Sequence, residues 1–277
     1  MIKLILINII SFFFAINLVA QNFEIQKHYA DSLFKSEKYF DAITEYKRLL
    51  YFDKAGKYNY DANLKIGISY KAGAKFNEAI KYFAVAKKNC AVDSSIIKVE
   101  MEIIKSNILR GTISEAIQKL TNLKKRYPNG IDSTEIFYWS GWAYMIGNNW
   151  EAASDEFAKI DLHHPLKVLA DSVASEKYSV VFAKAASFII PGSGQFYTGN
   201  YLSGIMSLGW NLLWGYLTIN AFITDRAVEG ILIGGLLWTR FYRGNFQNAE
   251  KFAISKNSEI SKRGYNYLKN VYSGEKP

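Results

Sequence analysis

Charges lie densely between Glu24 and Lys184, interleaved with apolar residues at helical spacing; from Ala185 to Thr224 the chain carries none, after which they return. The first pattern is that of helices with one face in a core and one in water. The second is that of segments built for an apolar surrounding. An all-α chain in two parts is predicted, each with its own elements.

In the first part, YFDAITEY, FNEAIKYF, ISEAIQKL and WEAASDEF set Ala42, Ala79, Ala116 and Ala153 at intervals of 37 residues. The second unit adds Gly67, Tyr70, Phe83 and Ala86, and the fourth Gly141, Tyr144, Phe157 and Pro165. The third keeps Gly111 and Pro128 but has Ile104 and Asn107 at the Gly and Tyr positions, where the first has Ala30 and Leu33. The pattern resembles the tetratricopeptide repeat, a helix-turn-helix unit of about 34 residues, lengthened here by three. The resemblance implies four units over 21–165, forming a solenoid of seven to eight helices whose units must stack to bury their apolar faces. It also implies a protein or peptide partner held in the concave groove lined by the first helix of each unit. Mapped onto this sequence, the groove offers Lys27, Lys35, Lys71, Lys98 and Lys105, with Tyr138 and Trp142 in the fourth unit. A basic groove ending in an aromatic wall suits an acidic peptide; simple solvated lysines are the alternative. The family's carboxylate clamp needs Lys followed four residues later by Asn, but Asp31 follows Lys27, so that activity is not carried over.

In the second part, Tyr201 to Ile223 is uncharged and rich in Leu, Trp and Tyr. At a rise of about 1.5 Å per residue it is long enough to cross a hydrocarbon layer of about 30 Å, so a transmembrane helix is expected, with a buried core helix as the alternative. A second, less complete span is expected in AVEGILIGGLLWTRFYRGNF, with Arg240 and Arg243 snorkelling to headgroups. Gly230 and Gly234 would then pack closely on Gly204, Ser207 and Gly215. Before these, YSVVFAKAASFII reads as a helix on or dipping into the membrane, ended by Pro191, and Gly192 and Gly194 permit a corner in PGSGQFY. FYTGNYLSG at 196–204 recurs as FYRGNFQNA at 241–249, and the two copies are expected to mark two visits to the headgroup region. Pro191, Gly192, Gly194, Phe196, Tyr197, Phe241 and Tyr242 are the expected membrane turn and interface. Residues 184–256 resemble small bacterial membrane proteins of unknown activity that carry P-G-x-G-Q-x-Y and a later F-Y-x-G-N. The resemblance implies a membrane-associated accessory protein and no chemistry to transfer. The predicted order is a repeat solenoid, a capping or connecting helix at 166–184, a transmembrane or interfacial helical hairpin at 185–250 and a basic tail at 251–277.

The net charge of +9 changes this picture little, because Lys and Arg are mostly interleaved with Asp and Glu; no nucleic-acid partner is expected. From Arg240 onward the balance is more one-sidedly basic, which favours anionic lipid headgroups. The opening MIKLILINIISFFFAINLVAQN reads as a secretory signal over 1–20, with an uncleaved anchor as the alternative; export to the cell envelope, with periplasmic repeats, follows. Cys90 is the single cysteine, so no intrachain disulfide forms. Catalysis has little to stand on. His163 and His164 have no further ligands grouped nearby for a metal, and PGSGQ lacks the Lys-Ser/Thr ending of a phosphate loop. No cofactor, metal or small-molecule substrate is expected. The sequence thus reads as a non-enzymatic, membrane-anchored adaptor. The rival reading is a small component of membrane transport or insertion in which the hairpin is the working part.

Overall fold

The computed structural model describes residues 23–277, so the expected signal segment at 1–20 lies outside the described residues. Short turns join helices throughout, with no strand among the described residues. The chain divides into two units after Leu162.

The first unit contains four helical hairpins: α1 (Phe23–Lys35) with α2 (Tyr39–Phe52), α3 (Asn59–Ala72) with α4 (Phe76–Lys88), α5 (Asp93–Arg110) with α6 (Ile113–Arg126), and α7 (Ser133–Ile146) with α8 (Trp150–Ala158). The four periodic alanines lie on the second helices, fully buried. Opposite them, size is matched between helices. A Cβ on Gly67 would lie 2.4 Å from the Phe83 ring, and one on Gly141 would lie 2.5 Å from that of Phe157. The equivalent pairs in the other units are Ala30 with Tyr46, in one core cluster, and Ile104 with Leu120, all four buried. In the third unit the larger Ile104 on the first helix is accompanied by the smaller Leu120 on the second, whereas in the first unit Ala30 still shares its cluster with an aromatic ring, that of Tyr46. The third unit thus departs from the repeat pattern at both partners together.

The turn inside each hairpin also repeats. Glu37, Ala74, Gly111 and Asn148, again 37 residues apart, all have positive φ, between 56° and 81°. The following N–H reaches back five residues in every case, from Lys38 to Leu33, Lys75 to Tyr70, Thr112 to Asn107 and Asn149 to Tyr144, at 2.9–3.0 Å. This is the Schellman closure of a helix end, which satisfies carbonyls the helix leaves open. Only one of the four turns uses the residue that adopts a left-handed backbone without strain.

The second unit comprises α9 (Pro165–Glu176), α10 (Val180–Ile189), the short α11 (Ser193–Tyr197), α12 (Tyr201–Ile223), α13 (Ala227–Leu232), a π-helical segment (Ile233–Trp238) and α14 (Thr239–Asn270). Helix α14 is 32 residues long and takes up most of the stretch expected to be a tail. It runs back along the rest of its unit. Lys184 pairs with Glu250 at 2.8 Å, Arg263 pairs with Glu176, and the Asn257 side chain exchanges two hydrogen bonds, 2.8 and 2.9 Å long, with the backbone of Tyr178. The predicted connecting helix therefore belongs to this unit.

The expected transmembrane hairpin is corrected. No helix among the described residues is long and apolar enough to cross a membrane. Helix α12 has the length, but Ser203, Ser207, Asn211, Thr218 and Asn220 dilute its apolar content, and the partner segment is divided among three helical pieces. The two still form an antiparallel hairpin, and its glycines face large or branched groups rather than one another. A Cβ on Gly215 would meet Trp238 at 3.3 Å, on Gly234 Thr218 at 2.9 Å, on Gly230 Phe222 at 2.8 Å and on Gly204 Phe196 at 2.7 Å. The predicted small-on-small contact does not form, because the antiparallel register places Gly215, Gly230 and Gly234 against side chains and Gly204 is covered by Phe196 of α11. Nor are the two FYxGN copies equivalent: the first ends α11 and turns at Gly199 (φ 76°), whereas the second lies wholly inside α14.

Replacing Ala74 by Gly should stabilise the first unit by about 1 kcal/mol, because it removes the strain of a left-handed alanine. Gly111→Ala should cost a similar amount by φ alone, since nothing lies within 4 Å of the added Cβ. Thermal unfolding followed by circular dichroism should show midpoint shifts of opposite sign.

Candidate functional site

The first helices of successive hairpins do line one face, but its lysines are engaged. Lys27 bonds Asp31 at 2.8 Å and Asp61 at 3.4 Å, while Lys65 bonds the same two carboxylates at 2.7 and 2.9 Å. Four alternating charges thus bridge α1 and α3. The Tyr46 hydroxyl donates to Asp31 from behind at 2.5 Å. Further along, Lys71 bridges α3 to Glu102 of α5 at 2.8 Å, and Lys105 lies 4.3 Å from the centroid of the Trp139 ring on α7. Lys35 and Lys98 are exposed and have no ion-pair partner among the described residues. Trp142 is buried, and Tyr138 packs edge-on against Trp139 and Phe157. The sequence-predicted residues therefore share a face but do not make it a basic groove with an aromatic wall. Three of the five lysines join one repeat to the next, on a face where Asp31, Asp61 and Glu102 stand among them.

Burial pushes the Asp31 carboxyl upward, but hydrogen bonds from Lys27, Lys65 and Tyr46 outweigh it and hold the group at about 2. Burial, with Asp31 as acceptor, pushes the Tyr46 hydroxyl well above the ordinary tyrosine range. Asp61 and Glu102 were missed as site residues because the groove was mapped by its lysines alone, and Asp31 was read only as a departure from the carboxylate clamp.

In the second unit the predicted corner is a knot of hydrogen bonds. Gly192 has φ 92° and donates its N–H to Asn245 Oδ1 at 2.8 Å. Ser207 of α12 donates to the same oxygen at 2.8 Å, Gln195 Nε2 donates to the Asn245 carbonyl at 3.0 Å, and Asn245 Nδ2 donates to the Ser187 carbonyl at 2.5 Å. Ser187 Oγ completes the set, donating to Gln195 Oε1 at 2.9 Å and accepting from the Gly194 N–H at 2.8 Å. Ser187, Gln195 and Asn245 are all buried. The glycines have no substitute here: a Cβ on Gly192 would lie 2.4 Å from the Gly204 carbonyl, and one on Gly194 2.1 Å from that of Ala183. The two motifs 50 residues apart thus meet through their amides, the Gln of PGSGQ and the Asn of FYRGN.

The aromatic residues expected at a membrane interface are held by neighbours within the unit. Tyr197 stacks edge-on against Tyr178 and Phe182, Phe241 lies flat against Trp210 and Trp214, and Tyr242 donates to the Phe188 carbonyl. Phe196 fills the space over Gly204, and Pro191 is half-buried at the end of α10. His164 uses Nδ1 to accept the Leu166 N–H and so caps α9, with Pro165 in the first turn. No group of His, Cys, Asp or Glu among the described residues is placed to hold a metal ion.

A tetratricopeptide repeat family model matches residues 61–90, nearly the whole α3–α4 hairpin. No curated protein and no solved structure matches the chain. The likeness of residues 184–256 to bacterial membrane proteins therefore has no counterpart in these comparisons. With the repeated hairpins, the match supports a tetratricopeptide-type solenoid, a scaffold of the kind that serves protein–protein interaction.

Two outcomes follow from the charge ring and the knot. The folded Asp31 pKa lies below the ordinary carboxylate value of about 3.9, so its stabilisation is complete above that pH and is lost as pH falls toward 2. The difference in melting midpoint between the wild type and Asp31→Asn should accordingly shrink between pH 4 and 2. Asn245→Leu strands several buried donors and an acceptor and should cost about 2–4 kcal/mol. Gln195→Leu should add little on top of it, because both remove the same network, and a double-mutant cycle by denaturant unfolding measures the overlap.

Proposed function

We propose that this protein is a non-enzymatic adaptor of the cell envelope: its repeat unit holds a protein or peptide partner, and its second unit attaches it to a membrane surface. The observation that carries the attachment is the amount of large apolar surface left in water. Val181, Ile189, Leu202 and Ile223 are each more than 70% exposed, and Phe182, Phe188, Ile205, Leu212, Tyr216, Ile219, Val228, Ile231 and Leu236 are all exposed as well. Isolated exposed leucines are ordinary, but this many on α10, α12, α13 and the π-helical segment is what a surface that is covered in use would show. Lys184, Arg240 and Arg243 on the same unit suit an anionic headgroup layer next to it. The hairpin would enter the layer by its apolar sides without crossing it. Export by the N-terminal segment places the adaptor outside the cytoplasm in this reading.

For the repeat unit, the paired charges change the kind of partner. A segment of mixed charge, able to exchange bonds with Lys and carboxylates alike, fits the face better than a purely acidic one.

A second reading has one observation in its favour. The polar residues Ser207, Asn211 and Asn245 lie inside the otherwise apolar hairpin, as they would in a component that handles a polar group at the membrane.

The purified full-length chain should float with vesicles containing anionic lipid, and Leu202→Glu combined with Ile223→Glu should abolish flotation while leaving helical content unchanged. A chain that stays monodisperse without detergent and sediments apart from vesicles removes the attachment. Partner capture that persists in the double variant favours the adaptor; capture lost together with flotation favours the working hairpin.

A further inference from the structure

Among the described residues no hairpin precedes α1, so one face of it lacks the neighbour that every later first helix has. In the later units that face is the stacking junction. Ala62 and Ile66 of α3 share a core cluster with Ala42 and Tyr46 of α2, and Val99 and Ile103 of α5 share one with Ala79, Phe83 and Ala86 of α4. Counting back 37 residues from Ala62 and Ile66 gives Ile25 and Tyr29 of α1. A third position behaves alike: Ser69, Ser106 and Ala143 are all buried, and their equivalent in α1 is Ser32. In α1 these positions face water. Ile25 is 66% exposed and Tyr29 55%, and Ser32 is exposed as well. A solenoid needs an end unit with a polar outer face to stop further stacking. Here the end presents an isoleucine and a tyrosine, and the stacking junction of the repeat continues outward.

The face is complementary to itself. Ile25, Tyr29, Ser32 and Ser36 fall on one stripe at helical spacing, bulky in the N-terminal half and small in the C-terminal half. Antiparallel pairing of two such helices, about a two-fold axis between Ala30 and Asp31, sets Ile25 and Tyr29 of one copy against Ser36 and Ser32 of the other. That symmetry also brings the same flank of each helix together. Glu24 and Lys35 lie on one flank at opposite ends of α1, so Lys35, exposed and with no ion-pair partner among the described residues, comes beside Glu24 of the other copy. Glu24 already holds Lys57 at 2.7 Å, and Lys35 extends that pair across the junction. Parallel pairing would instead oppose Glu24 to Glu24, Tyr29 to Tyr29 and Lys35 to Lys35. We infer that two copies of this chain associate through α1, as an antiparallel and isologous dimer. The contact is one helix wide, which makes it a weak and reversible one. Membrane attachment is not required for it.

The test uses the full-length chain in detergent, which covers the apolar surface of the second unit, with Cys90→Ser removing the native thiol. Ile25→Cys and Ser36→Cys are introduced separately, the two proteins are mixed and oxidised with copper phenanthroline, and the disulfide-linked products are read by mass spectrometry. The 25–36 product should dominate. The 25–25 and 36–36 products should be minor, because in the antiparallel pair each of these positions lies about 16 Å along the axis from its own copy, at a rise of about 1.5 Å per residue. Tyr29→Lys should raise the dissociation constant of the dimer at least about tenfold in sedimentation equilibrium, since it withdraws a buried ring from both sides. Lys35→Glu should weaken the dimer by a smaller factor. No 25–36 product, or the three products in equal amounts, overturns the inference, and so does a dimer unaltered by Tyr29→Lys at unchanged helical content. If Tyr29→Lys loses helical content, the cross-linking pattern alone decides. The mass of the purified chain shows whether residues 1–20 are retained. A retained segment without the 25–36 product, or a different protein cross-linked at position 25 in place of the second copy, gives the face another occupant and overturns the dimer.

Discussion

Both units depend on a residue with no side chain standing where a neighbouring element delivers bulk. Gly67 receives the Phe83 ring and Gly141 that of Phe157; in the second unit Gly215 receives Trp238, and Gly192 and Gly194 receive backbone carbonyls. Helices pack closely only when ridges on one find room on the other, and a ring against a bare Cα buries apolar area without widening the interface. The repeat meets this demand with glycine in its second and fourth units, with Ala30 in the first, and in the third by pairing Ile104 with Leu120 in place of a ring. The second unit meets it along a single antiparallel hairpin.

Polar groups then select which close packing is adopted. In the repeat unit the selection is made near the surface, by charges that reach from one first helix to the next across Asp31, Asp61 and Glu102. These bonds are partly screened, and each contributes modestly, but they recur at successive junctions. In the second unit the selection is made inside, by one amide. Asn245 touches the end of α10, the corner, α11 and α12, and a buried network of this kind is stable only when every member is satisfied. Of the two, the internal network tolerates substitution less.

The repeat was legible because its periodicity survives in the letters: Ala42, Ala79, Ala116 and Ala153 are all buried where the spacing put them. The left-handed turn was not, since Glu37, Ala74 and Asn148 do not announce a positive φ and only Gly111 does. The corner was legible in outline, as a break at Pro191, but its cause was not. Reading PGSGQ for its glycines passed over Gln195, and reading FYRGN for its aromatics passed over Asn245, although an amide in an uncharged stretch is itself a signal that a partner exists. The membrane span was overread because length and lack of charge were weighed above Asn211, Asn220 and the hydroxyl residues of α12. The groove lysines were placed on the right helices, yet spacing within a helix says nothing about the carboxylate on the helix beside it.

Helix α14 has a mechanical consequence. It is a single long rod whose polar attachments to the rest of its unit are spaced along its length: from the C-terminal end, the exposed Arg263–Glu176 pair, then Asn257 on the Tyr178 backbone, Glu250 with Lys184, the buried Asn245, and Tyr242 on the Phe188 carbonyl. Tension applied at its C-terminal end would reach these fastenings one after another. Detachment would proceed by peeling, and the corner would be the last part to feel the pull.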